Sequence, residues 1–434
     1  ELDKIVRART RGARDEPARF SEARVGPAIR SNLPAQTSTF VGRQKELAEL
    51  QRWLLSPNVR LVTILGPGGM GKTRLALELG QRLLASALVA RAEDSSKQFA
   101  DGLFLVELAP LSSPEFIVSA IAEAAGIQFY PGSEAKRQLF GHFREKKALL
   151  LLDNFEHLLA GVETIAELLR AAEGVTVVAT SRERLGLTGE TVLQLSGMDF
   201  PQSTAARPAI DYSAVRLFVQ AARQQKPDFK LEDDEAAHVV RICRLVHGIP
   251  LGIVLAGSWA GNLSSVEIAQ EISSGLDFLA AELRDLPERQ RSMRAVFDHS
   301  WALLSEPERA ALSAISIFRG GFTRDAAQAV AETSIRVLAT LINKSLLSRE
   351  PGSARYRLHE LLRQYAAEKL GNTPAREQKV LDAHSAYFAS YLHARADCLK
   401  SPSPAEALAE IETELDNVRA AWSRMLEQQQ LQNI

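Results

Sequence analysis

Gly66-Pro67-Gly68-Gly69-Met70-Gly71-Lys72-Thr73 decides the reading of this chain, because it fits G-x-x-x-x-G-K-[ST] at every fixed position. Its flanks agree. Val59 to Leu65 is an apolar, β-branched run that reads as a buried strand, and Arg74 to Leu84 reads as a helix. The glycines let successive backbone N–H groups face a chain of phosphates, and the helix N-terminus adds positive potential. The pattern implies a nucleoside triphosphate with Mg²⁺. Lys72 is placed for the β- and γ-phosphates, and the Thr73 hydroxyl for the metal.

Working outward, strands and helices alternate. Gln44–Leu54 reads as a helix. Leu103–Leu108, Ala148–Asp153, Val175–Thr180 and Thr191–Leu195 read as further strands, with a helix starting at Ser113-Pro114-Glu115. Continuous apolar strands separated by helices predict a parallel sheet covered on both faces. Asp153 ends its strand, where a carboxylate can hold the Mg²⁺ hydration shell opposite Thr73. It follows Lys72 by 81 residues. With Leu103–Leu108 between, there is room for an extra strand separating the two motif strands, as in the additional-strand type of P-loop ATPase. The blander role for Asp153 is to cap a helix from Phe155.

The next position, Asn154, cannot act as a base, and Glu156 is the nearest acid able to orient a water. Slow or conditional hydrolysis is expected, which suits a switch better than a motor. Arg182, after the fourth strand, could fork onto a γ-phosphate, or make a surface salt bridge.

The chain has 434 residues, 46% of them apolar, and a net charge of −1, which argues against a globally basic nucleic-acid binder. Cys243 and Cys398 are too far apart to make a disulfide framework, so a reducing cytoplasm is expected. No apolar run approaches the roughly 18 residues that span a membrane, and the Arg-rich N-terminus lacks a secretory apolar segment. The chain begins at Glu1 and ends in mid-helix composition, which reads as a piece of a longer protein whose fused effector lies outside it.

The expected organisation is a basic linker over 1–37, a P-loop nucleotide-binding domain over 38–200, and a helical domain over 208–286. A winged-helix domain over 288–371 follows, then the start of a helical, repeat-like region over 374–434. Helices are expected over Tyr212–Gln224, Asp233–Val246, Val266–Ile272, Met293–Leu304, Pro307–Ile315, Thr323–Ala331 and Ser334–Asn343. A hairpin of Ser345–Arg349 and Arg355–Leu358 completes the wing. Tyr387, Tyr391, Leu415 and Trp422 are the expected apolar anchors of the last region.

These residues together resemble the NB-ARC-type STAND ATPases, including bacterial regulators of the SARP and LuxR-like kinds. Phe40-Val41-Gly42-Arg43 looks like the entry motif that packs on adenine and ribose. Leu149–Asn154 looks like the Mg²⁺-binding strand, although the family often has a second aspartate where Asn154 stands. Thr180-Ser181-Arg182 looks like the phosphate-sensing motif, Gly248-Ile249-Pro250-Leu251 like the motif whose proline stacks on adenine, and Leu358-His359-Glu360 like the Met-His-Asp latch. The resemblance implies binding residues Val41, Gly42, Arg43, Gly66, Gly68, Gly69, Met70, Gly71, Lys72, Thr73, Arg74, Pro250 and His359. It also implies Mg²⁺ on Thr73 and Asp153, with Lys72, Asp153, Glu156 and Arg182 serving hydrolysis.

It further implies an ADP-bound closed state that ATP opens to self-association, and an activating ligand or protein on the C-terminal helices. A DNA-binding ATPase of the origin-recognition kind is the alternative. Its recognition helix, Ser334 to Lys344, carries only Arg336 and Lys344, so direct DNA binding by this chain is not expected. A metabolic P-loop kinase would leave the helical and winged segments unexplained.

Overall fold

The computed structural model describes residues 29–36, 38–89, 99–201, 208–280, 291–350, 352–400 and 404–427. The expected basic linker falls mostly outside these residues, as do the expected end of the helical domain near Leu286 and the last residues of the chain.

Five parallel strands form the first sheet: β1 (Leu61–Leu65), β2 (Gly102–Glu107), β3 (Ala148–Asp153), β4 (Val175–Ser181) and β5 (Glu190–Gln194), in the order β2-β3-β4-β1-β5. β1, β4 and all of β3 but its last residue are fully buried. That is why they are mostly Leu, Val, Ile and Ala, with the few hydroxyl residues, Thr63, Thr176, Thr180 and Ser181, buried as well. Successive residues still part to opposite faces. Ala148, Leu150 and Leu152 join one core with helices Ile117–Ala125, Ala135–Phe143 and Val162–Ala171. Leu149 and Leu151 join the other, with helices Gln44–Leu54 and Lys72–Val89. This second core runs on without a break into the helical segments and the winged helix.

The expected extra strand is present but is a different one. β4 stands between β1 and β3, while β2, the strand intervening in sequence, lies at the edge. Its edge is not bare: Leu103 N donates to Arg30 O at 2.9 Å, and the Asn32 amide clamps both backbone groups of Leu105, at 2.7 and 2.8 Å. Residues 30–33, read from sequence as linker, therefore cover a strand edge that would otherwise present unpaired groups.

Helices Ser213–Gln225, Asp233–Leu245, Pro250–Gly257 and Ser265–Ser274 follow. The third, not anticipated, is apolar on all sides and starts with proline at its first turn. Then come Met293–Ala302 and the winged helix itself. It has helices Glu306–Ile315, Arg324–Ala331 and Ile335–Asn343, with β6 (Phe322–Thr323), β7 (Ser348–Arg349) and β8 (Arg355–Arg357) in the antiparallel order β6-β8-β7. Ser305 and Glu308 form a capping box that starts its first helix.

Met293–Ala302 is tied to this unit. Arg294 pairs with Glu368 at 2.7 Å, and the Tyr365 hydroxyl donates to Asp298 at 2.6 Å, both from helix Glu360–Gly371. Helices Pro374–His393, Ala405–Thr413 and Leu415–Glu427 complete the described chain. Trp422 is 43% exposed and is not the anchor expected of it, whereas Ala421 and Met425 are buried. Among the described residues no helix is long and apolar enough to cross a membrane.

Candidate nucleotide site

The order of the sheet builds the site. β3, β4 and β1 are neighbours, so Asp153, Thr180 to Arg182 and the loop Gly66–Thr73 emerge side by side at the carboxyl edge. Gly66 N donates to Ser181 O at 3.3 Å and ties the start of the loop to the end of β4. Gly69 and Gly71 have φ of +78° and +79°, a left-handed conformation that favours glycine. The loop then passes into helix Lys72–Val89. The Lys72 ammonium folds back over it, donating to Gly66 O at 2.7 Å and Pro67 O at 3.0 Å. Desolvation pulls its pKa down to about 8, with Arg182 acting in the same direction and Glu156 and Asp153 opposing.

Thr73 Oγ1 donates to Asp153 Oδ1 at 2.7 Å, and Thr180 Oγ1 donates to the same oxygen at 2.5 Å. Thr180 in turn accepts from Asn154 N at 2.9 Å. Thr180 thus fixes the rotamer of Asp153. The aspartate is not a helix cap: the turn after β3 belongs to Asn154, whose φ is +68°. The Asn154 amide donates to His157 Nδ1 at 3.3 Å, with His157 Nε2 on Leu111 O at 3.1 Å. Asn154 serves a turn, a role asparagine performs well because it tolerates left-handed backbone. A hydroxyl and a carboxylate side by side beside a phosphate loop are an all-oxygen donor set that fits Mg²⁺.

Glu156 and Arg182 meet. Arg182 Nε stands 2.9 Å from Glu156 Oε1. Arg182 Nη1 also donates to Ser300 Oγ and, at 3.4 Å, to Val296 O, both in helix Met293–Ala302. Glu156 is buried. The water-orienting acid expected from sequence is therefore held on an arginine and is not open to the crevice. Nor is Arg182 on the surface: it is 9% exposed and lies between the sheet and the segment entering the winged helix. The next residues repeat the link. Ser345 Oγ donates to Arg182 O at 3.1 Å, and Lys344 bridges Glu183 at 3.7 Å and Glu308 at 3.1 Å.

The other wall is formed by the segments Val41–Arg43, Ser196–Met198 and His247–Leu251. Gly42 has φ +72°, and a methyl built on it would lie 2.7 Å from Ser213 Cβ and 3.0 Å from Met198 Cε. Arg43 Nη2 donates to Ser196 O at 2.6 Å. Met198 N donates to Gly248 O at 2.8 Å, and Leu251 N to Gly69 O at 3.1 Å. Pro250 Cγ would lie 3.9 Å from a methyl on Gly71. Met70 is buried, and the Arg74 guanidinium is turned away onto Ser38 O. The pieces singled out in sequence thus ring one loop.

His359 lies within this ring by its contact with His247, the rings 4.6 Å apart. Its Nδ1 accepts from Leu361 N at 3.2 Å, capping helix Glu360–Gly371, and its Nε2 is buried. Burial pushes its pKa down to about 3, His247 adds to this, and the Val246 backbone opposes it. Ser300, Val296, Ser345 and His247 were not found by sequence reasoning. Their one signal is position, beside elements that the topology folds onto the loop.

With this geometry in view, the comparisons place the chain. The Winged helix-turn-helix domain family matches residues 304–371. The chain is 34% identical over 347 residues to "Uncharacterized protein Rv0894" of Mycobacterium tuberculosis, covering 77% of this chain and 82% of that protein. It belongs to that protein's family. It is 36% identical over 388 residues to the "Putative HTH-type transcriptional regulator Rv0890c" of the same species, covering 86% of this chain. The chain spans only 40% of that relative's length.

Among solved structures, a STAND protein with a tetratricopeptide repeat sensor from Pyrococcus horikoshii aligns with TM-score 0.28 and 16% identity, covering 93% of this chain and 56% of that one. The ORC2 protein of Aeropyrum pernix aligns with TM-score 0.45 and 16% identity, covering 78% and 96%.

Proposed function

We propose that this chain is the nucleotide-dependent switch of a signalling or transcriptional regulator of the NB-ARC-type STAND kind. It is closed with ADP and opened by ATP to self-associate. One observation carries the reading: Arg182, beside the phosphate loop, is shared between Glu156 of the sheet and Ser300 and Val296 of the winged-helix unit. A group that reads the terminal phosphate is thereby also a fastener of the closed form. A ligand shifts such an equilibrium only through contacts that differ between the two states, and Arg182 supplies one.

In this reading the loop amides and Lys72 hold the β-phosphate. Val41, Gly42, Arg43 and Pro250 border adenine and ribose. His359, buried against His247, closes on the β-phosphate from the winged helix. Thr73 and Asp153 would hold Mg²⁺, which would supply positive charge to offset that of the phosphates. Hydrolysis is slow while Glu156 is held by Arg182, and Lys72, Asp153 and Arg182 serve it once the chain opens.

DNA binding by this chain is disfavoured because Lys344, at the end of the expected recognition helix, is engaged by Glu183, Glu308 and Leu303 O. An effector coupled to this switch, and a signal reaching its C-terminal helices, are part of the proposal. Light-scattering mass of the chain with Mg-ADP and with a non-hydrolysable Mg-ATP analogue tests the switch. A monomer with ADP and a larger assembly with the analogue is expected, and the same monomer in both counts against it.

A further inference from the structure

We propose that Val296 makes the closed arrangement accept a nucleoside diphosphate and refuse a triphosphate. The proposal rests on the switch reading above and names the side chain that enforces it. The Lys72 ammonium, which serves the β- and γ-phosphates, lies against Gly66 O and Pro67 O, so the terminal phosphate belongs at the Gly66–Gly68 end of the loop. The opposite end is the N-terminus of helix Lys72–Val89, where the α- and β-phosphates meet the amides.

At the terminal end Gly68 is crowded. A methyl built on Gly68 would lie 2.4 Å from Val296 Cγ1 and 3.2 Å from Arg182 Nη2. Carbon atoms in contact stand about 3.5–4 Å apart, so the valine already rests on the glycine backbone. A γ-phosphate needs its oxygens about 3 Å from their donors, so one seated beside Gly68 would compete with this isopropyl group for the same space. The β-phosphate end is bordered instead by Leu251 and by Pro250, the latter 3.9 Å from a methyl on Gly71.

Valine adds a second penalty, since its methyls offer no hydrogen bond to an anion they would desolvate. The same residue's carbonyl accepts from Arg182 at 3.4 Å, so the group that blocks the phosphate also holds the arginine that would bind it. Entry of the third phosphate therefore requires the whole helix Met293–Ala302 to withdraw. Helix Glu360–Gly371 must withdraw with it, because Arg294 and Asp298 bind Glu368 and Tyr365.

The test is calorimetric titration of the whole chain with Mg-ADP and with a non-hydrolysable Mg-ATP analogue, alongside light-scattering mass. The wild-type chain is expected to bind the diphosphate more tightly. Val296→Ala is expected to raise affinity for the triphosphate analogue about tenfold, the low end for one or two carbons in a pocket, and to leave ADP affinity within about twofold. Its mass should remain that of a monomer, which a merely loosened winged helix would not give.

Val296→Ile, which adds bulk, is expected to weaken the analogue further, and it keeps the test valid should the alanine variant not fold. A wild-type chain that binds both nucleotides, with a ratio neither variant changes, overturns the role of Val296 and leaves the switch standing. A wild-type chain that binds neither nucleotide overturns both.

Discussion

Arg182 and Glu156 form a buried ion pair at 2.9 Å, with side chains 11% and 1% exposed. The arginine follows β4 and the acid lies in the turn after β3, so adjacent strands of the sheet supply both. Removing one member of a buried pair costs about 3–5 kcal/mol, because the other charge is left without its partner. Glu156→Gln should therefore lower the melting temperature of the nucleotide-free chain. A triphosphate supplies a replacement anion for Arg182 and a diphosphate does not. Scanning fluorimetry should show the triphosphate analogue restoring more of the loss than ADP does, and equal recovery would argue against the pairing's role.

Thr180 lends its hydroxyl to the oxygen of Asp153 that Thr73 also contacts. Thr180→Val keeps the shape of the side chain and loses that bond, worth about 1 kcal/mol, together with the one accepted from Asn154 N, whose loss bears on the turn rather than on the metal. Nucleotide affinity in Mg²⁺ should fall about fivefold, while affinity in excess chelator should stay unchanged. A drop of the same size with and without Mg²⁺ would place Thr180 outside the metal site.

Lys72 carries a pKa pulled down to about 8 by desolvation. A bound polyphosphate favours the charged ammonium, so binding takes up a proton once the free lysine has begun to lose its own. Affinity should be flat below pH 8 and fall above it, by up to tenfold per pH unit until the pKa of the bound form is reached. The sign for stability is the reverse. The folded pKa lies below the ordinary lysine value near 10.5, so unfolded chains bind more protons between about 8 and 10.5, and this residue's contribution to stability rises with pH across that window. Nucleotide titrations at pH 7, 8 and 9 check the first trend, with Lys72→Met as the flat control.

Asn417, fully buried, fastens the C-terminal helices to the wing. It accepts from Arg319 N at 2.7 Å and donates to Gly321 O at 2.9 Å and to Glu414 at 2.8 Å, beside the Glu414–Arg355 pair. Asn417→Ala leaves three partners unsatisfied and should cost about 2–3 kcal/mol. Limited proteolysis should then release residues 404–427 before the winged helix is cut. Unchanged cleavage would mean the network does not hold these helices.

Much of this was legible in the sequence because local rules carry it. A glycine loop between an apolar strand and a helix, and an acid at the end of a buried strand, each announce themselves within a few residues. Helix Pro250–Gly257 was missed because two glycines and a proline read as breakers, whereas burial on every side replaces the amphipathic period. Residues 30–33 looked like linker because the partner that orders them, the edge of β2, lies about 70 residues away. The strand inserted between β1 and β3 could not be picked from sequence order, since order along the chain does not fix order across a sheet. Ser300 and Val296 lay further out of reach, 118 and 114 residues from the arginine they hold.

Hydrogen exchange of the chain, followed by mass spectrometry, tests the switch most directly. With Mg-ADP, peptides covering helix Met293–Ala302 and the Lys344-Ser345 contact should be protected, because Val296, Ser300 and Ser345 are closed onto Gly68 and Arg182. With a non-hydrolysable Mg-ATP analogue, the same peptides should exchange at least tenfold faster while β1, β3 and β4 keep their protection. Equal protection of residues 293–302 and 344–345 under both nucleotides, with both shown to be bound, would contradict it.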